Sequence, residues 1–336
     1  MSRSGASRCL RSFTISNMIK REIYLAKTNK NSFRLDADFT EDTVGFAIES
    51  FLSVLSFPRL RFSIKPFSRR QERWLGADAR LDGYLKSFKP FYMQFKRPSA
   101  YPDISTAKVI ADREKLRLPV SPHTLYFELR KKREQHYDYQ HNVLYRLRKR
   151  LLSAGVGDAA YVCPLFLERS AYRFHVHMSG LMLWPIFWRS SPWELEEILI
   201  SSTSGEIKFD QVPVLREHIS IPPHSIVSDA KHSYSFTEGG SDLCFHSPLA
   251  LPDVGTSLTS FLAKVAGTVQ DDHGFISIND AGRRLRELFA AEDNAENGFL
   301  LPESMRANDN GLEAWLYWGD YLRQEFGIEQ FALVRW

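Results

Sequence analysis

Asp78, Gln94 and Lys96 are the residues whose types and spacing could do chemistry together. Asp78 falls in a strand candidate, Gly76 to Leu85 (GADARLDGYL), and the other two in a second, Pro90 to Lys96 (PFYMQFK). With a turn of about four or five residues centred near Ser87, antiparallel partners have residue numbers summing to an even value such as 174, which places Asp78 opposite Lys96 and Arg80 opposite Gln94, whereas an odd sum would move Asp78 to the other face. Side chains two apart on a strand share a face, as do directly paired residues, so the three would stand together. A carboxylate beside an amide carbonyl, with an ammonium next door, suits a hard divalent cation. Mg²⁺, or Mn²⁺ in its place, takes oxygen ligands and keeps several waters, so a few protein oxygens suffice. Lys96 would then stabilise or help to deprotonate one of those waters.

The neighbouring elements have to position such a group. Thr40 to Leu55 opens with two acids and repeats apolar residues at Val44, Ala47, Ile48, Phe51, Leu52 and Leu55, the pattern of an amphipathic helix. Its acid Glu49 is the expected third contributor to the metal. Arg59 to Phe67 alternates basic and apolar residues as a half-buried strand does. Thr124 to Leu129 reads as a further strand, Arg133 to Leu152 as a helix, and Ala159 to Leu167 as a buried strand. Farther on, Ile207 to Phe209 and Ser233 to Phe236 read as short strands, and Leu258 to Val265, Ile278 to Leu288 and Leu312 to Phe326 as helices. The expected organisation is a lead-in over residues 1–39, its first part disordered, a core over 40–167, and an α+β extension over 168–336.

The order of a helical Glu (Glu49), an Asp opening a strand (Asp78), and Gln-Phe-Lys (Gln94 to Lys96) on the next strand resembles the PD-(D/E)xK nuclease superfamily. That resemblance covers residues 40–167. It implies an α/β fold with a restriction-endonuclease-like core, a mixed sheet flanked by helices, and a metal-dependent nuclease acting on DNA, or else on RNA. It implies Asp78, Gln94 and Glu49 as Mg²⁺ (or Mn²⁺) ligands and Lys96 as the residue serving the attacking water. Some members also place a Gln on the following helix, where Gln140 stands. Ala77 replaces the frequent Pro before the Asp, and Gln94 replaces the more frequent Glu. Gln94 leaves open the alternative of a nuclease-fold protein that only binds nucleic acid or a partner protein. Defence against foreign DNA is a setting suggested by analogy of fold.

Charge agrees with a polyanion partner. Residues 1–150 hold 31 Lys and Arg against 15 Asp and Glu, whereas residues 151–336 hold 13 against 25. The basic half is expected to meet nucleic acid and the acidic half a partner protein. Arg97, Arg69, Arg70, Arg73, Lys131 and Lys132 are the expected phosphate contacts, and Arg146, Arg148, Lys149 and Arg150 form a further basic run. Three widely spaced cysteines, Cys9, Cys163 and Cys244, make no disulfide framework or zinc site and suit a reducing, cytoplasmic setting. The Ser- and Arg-rich first seventeen residues read as a disordered lead-in, with a transit peptide as the other reading. Met178 to Trp188, the longest apolar stretch, is shorter than the roughly 20 residues a membrane span needs. HExxH, GxSxG and GxxxxGK[ST] motifs are absent, which argues against a zinc protease, a serine hydrolase and an NTPase.

Overall fold

The computed structural model describes residues 33–55, 62–66, 85–188, 200–201, 203–251, 254–268, 272–289 and 311–335. The helices are α1 (Glu41–Leu55), α2 (Lys108–Lys115), α3 (Gln140–Ser153), α4 (Arg169–Trp188), α5 (Pro213–Arg216), α6 (Leu258–Ala266), α7 (Ala281–Phe289) and α8 (Gly311–Tyr321). A π-turn, Leu322–Phe326, continues α8 and stops at Gly327, whose φ of 63° favours glycine. The strands are β1 (Leu35–Asp36), β2 (Phe62–Pro66), β3 (Ser87–Phe95), β4 (Ser99–Pro102), β5 (His123–Glu128), β6 (Ala159–Pro164), β7 (His218–Ile221), β8 (Ser233–Phe236), β9 (Cys244–Phe245), β10 (Leu249–Ala250), β11 (Thr256–Ser257), β12 (Ile276–Ser277) and β13 (Glu329–Arg335).

They form two sheets flanked by helices, a mixed α/β arrangement. One sheet runs β11-β7-β6-β3-β13-β2, with β12 beside the start of β3; the other runs β1-β4-β5-β8-β9-β10. In the first, β3 and β6 are parallel, joined through β4, α2, β5 and α3, while β13 is antiparallel to both β3 and β2. Nearly every residue of β3 is buried, as in a central strand covered on both faces.

Alternation along β3 divides the core. Phe91, Met93 and Phe95 face α1, packing with Val44, Ile48, Phe51 and Leu52, while Phe88 and Tyr92 face α3, the second sheet, α7 and α8. Leu144, Leu147 and Leu151 turn one side of α3 into that second core, as a 3.6-residue repeat requires. Pro90 interrupts β3 without breaking its ladder, because β12 pairs only Ser87 and Phe88, and β6 begins pairing at Tyr92. Gly157 fills the space beside it: a Cβ there would overlap the Pro90 carbonyl oxygen.

Two expectations change. Both edges of β3 are taken, one by β13 and the other by β6 and β12, so β3 does not pair with Gly76 to Leu85 in the register that sets Asp78 opposite Lys96. Ser87 to Lys89 belong to the strand and not to a turn. Nor does the chain divide at residue 167. β13 lies between β2 and β3, β7 beside β6, and β8 beside β5, so strands of the C-terminal half complete both sheets.

Candidate functional site

Lys96 follows the last residue of β3, at the carboxyl end of the parallel pair, where open α/β sheets commonly place ligands. Its backbone N–H donates to the Val162 carbonyl of β6 at 2.8 Å, which holds the end of β3 against β6. The side chain is buried. Nζ donates to Gln140 Oε1 at 3.3 Å and lies 5.6 Å from the centre of the Tyr161 ring. Burial pushes the ammonium down to about 8, despite the nearby Glu41 carboxylate, which opposes the shift, and with help from Arg130.

Gln94 lies on the same side of β3. Its Nε2 donates to the Phe326 carbonyl at 3.2 Å, and Gln140 Nε2 donates to that same carbonyl. One backbone oxygen of the π-turn thus holds the amino ends of both glutamines. Their oxygens are freed for other partners: that of Gln140 meets Lys96, and Gln94 Oε1 is buried with no hydrogen-bond partner among the described residues. His136 steadies the turn from the α3 side, with Nε2 at 3.1 Å from Glu325 Oε2 and its ring 4.7 Å from that of Phe326.

Lys96 forms part of the floor of a cleft of about 500 Å³. Arg34, Arg97 and Arg130 line it, against Glu41, Asp42 and Glu128. Arg130 pairs with Glu41 across the mouth. Arg34 bonds Asp36 at 2.8 Å and Ser99 at 3.2 Å, with Tyr126 beneath its guanidinium. Arg97 is exposed, as are Lys131 and Lys132 in the loop leading to α3.

Of the expected site residues, Gln94, Lys96 and Gln140 come together. Glu49 stands on α1, which packs on the opposite face of β3, and burial raises its carboxyl while Arg323 opposes that rise. Glu49 also faces Glu329, which burial raises to about 7 despite Arg323, aided by Glu49, Asp42 and Asp320. Asp78, Arg69, Arg70 and Arg73 lie outside the described residues. Among the described residues no group of three His, Cys, Asp or Glu could hold a metal ion. Within the group of Gln94, Lys96 and Gln140, the free ligand oxygen is Gln94 Oε1.

Sequence reasoning missed Glu41, Arg34 and the Phe326 carbonyl, and had Arg130 only as the start of a basic run. The first was visible only as a helix-opening acid, and a backbone oxygen leaves no compositional trace. A second polar group was also missed. Ser235 Oγ is 2.8 Å from His246 Nε2, and His246 Nδ1 is 3.2 Å from Asp112 Oδ2. This has the order of a hydrolase triad, but Ser235 is fully buried and also accepts from Arg113, which pairs with Asp242. It ties α2 to the second sheet and offers no route to a substrate.

No protein family, curated protein or solved structure matches the chain. No helix among the described residues is long and apolar enough to cross a membrane.

Proposed function

We propose that the cleft above Lys96 receives a phosphodiester of DNA, or less readily of RNA, and that the chain is a nuclease with a restriction-endonuclease-like core. The observation that carries this reading is the buried Lys96 held by Gln140 beside Gln94, at the end of a parallel strand pair, under a rim of arginines. Support also comes from the order of α1, β3, α3 and β6, with β6 parallel to β3. Lys96 at its shifted pKa is largely charged near pH 7, where it would hold a phosphate oxygen, and by pH 8 its neutral fraction would accept a proton at Nζ from an attacking water. Gln140 fixes the ammonium in place for both tasks. Arg97 and Arg130 would neutralise flanking phosphates. A Mg²⁺ or Mn²⁺ ion would draw on Asp78, Gln94 and Glu49, the ligands that the resemblance implies.

The second reading, a nuclease-fold protein that binds without cutting, is favoured by one observation: the amide that resemblance makes a metal ligand is also a tie to the C-terminal π-turn. Cleavage of labelled duplex DNA, with and without Mg²⁺ or Mn²⁺, separates the two. Lys96→Met is expected to lower cleavage by about a hundredfold or more, the scale of losing a preorganised charge, with DNA binding kept. Glu49→Gln is expected to stay within about threefold of the parent, since α1, which carries Glu49, packs on the face of β3 opposite Lys96. Undiminished metal-dependent cleavage by the Lys96 variant would refute the assignment. Binding without cleavage by the parent chain would establish the second reading.

A further inference from the structure

Beyond Gln140, α3 carries a second basic surface. Tyr145, Arg146, Lys149 and Arg150 meet Arg284 and Glu287 of α7 around a cavity of about 550 Å³ with Ile226 at its edge. Four cations face one carboxylate there, a stronger imbalance than in the cleft at Lys96. Structural pairing uses only some of these cations. Arg146 pairs with Asp138, and Arg150 donates to the Leu288 carbonyl at 3.0 Å. Arg284 pairs with Glu287, which Arg283 also shares. Lys149 is exposed and makes no ion pair or hydrogen bond among the described residues.

The placement gives the cavity a scale. Lys149 lies nine residues beyond Gln140 on one helix, about 13 Å along its axis and about half a turn round it, so it faces solvent on the side away from Gln140. The exposed loop of Arg130 to Arg133 precedes α3 and begins at the rim of the cleft. Cations thus occur at the cleft, before the helix and along it.

We propose that the α3–α7 cavity anchors the backbone of the same nucleic acid whose phosphodiester faces Lys96, gripping phosphates away from the scissile one. This rests on the nucleic-acid reading of the cleft. The anchor needs no base contacts, and its contribution is electrostatic and sensitive to salt.

The test is binding of the full chain to a labelled 20-base-pair duplex over a range of salt concentrations. Lys149→Ala combined with Arg284→Ala is expected to weaken binding about tenfold near 0.1 M salt and make the salt slope shallower by about 1.8, two phosphate contacts' worth. Lys149→Ala alone touches no packed group and should remove about half of that slope change. Glu287→Gln should tighten binding about threefold, by removing the carboxylate and releasing Arg284. Parent-like affinity and slope in all three variants, with the parent binding, would overturn the anchor and leave the cleft reading standing. Failure of the parent to bind DNA at all would overturn both.

Discussion

A lysine ammonium whose hydrogen-bond partner is a neutral amide is costly to bury, and Lys96 is in that position against Gln140. Its pKa falls from an ordinary 10.5 to about 8 through burial. Between those values the unfolded chain binds more protons than the folded one, so this group makes stability rise with pH across that window. Below about 8 both states are charged, and the full penalty of up to about 3 kcal/mol acts on the folded chain. Lys96→Met, which keeps the volume and removes the charge, is therefore expected to raise the thermal midpoint at pH 7 and to lose that advantage as pH approaches 10.5. Melting curves across pH 6 to 10.5 check this. A variant no more stable than the parent at pH 7 would show that the ammonium is not desolvated. Retaining a group that weakens the fold is understandable where the charge serves a ligand, which links this prediction to the cleft.

At the scale of elements, what was legible in the sequence was local. Periodicity marked α1, β5, α3 and β6 to within a few residues, except that α3 begins at Gln140 and not at Arg133. β3 was visible too, and with it the shared face of Gln94 and Lys96. Pairing was not legible, because β13, the strand that takes one edge of β3, follows it by more than 230 residues. Its run EQFALVR is short and could equally have been buried helix, since periodicity cannot distinguish the two at that length. Assuming that neighbouring strand candidates pair could not find the partners described for β3, which are β13, β6 and β12. Gln140 meets Lys96 at the end of β3 because it opens α3. The alignment of β3 with β6 itself depends on Gly157, where chain and strand approach most closely. Gly157→Ala would force a Cβ onto the Pro90 carbonyl, backbone that cannot swing aside. An expected loss of about 3 kcal/mol, the upper end for overpacking, would appear in urea unfolding, and any DNA binding at the carboxyl end of that pair should weaken with it. A parent-like midpoint would mean that the two strands tolerate a wider spacing.

For the whole molecule, the interleaving of the halves sets what can fold. Charge divides the chain near its middle, but hydrogen bonding does not: β13 joins β2 to β3, and β7 and β8 extend the sheets that β6 and β5 begin. The core on the α3 side of β3 draws Trp315, Trp318, Leu322 and Phe326 from the last elements, and the Phe326 carbonyl orders both glutamines at the candidate site. A fragment of residues 1–167 would leave an edge of β3 unpaired and this apolar surface exposed, a combination prone to aggregation. It is therefore expected not to fold alone, giving no cooperative unfolding transition and weak protection of the β3 amides from hydrogen exchange. Mixing it with residues 168–336 should restore protection at Tyr92 to Lys96 if the halves can still associate. A fragment that melts cooperatively without its counterpart would instead show that residues 40–167 are a self-sufficient core, and that β13 is an addition to the site and not part of its foundation.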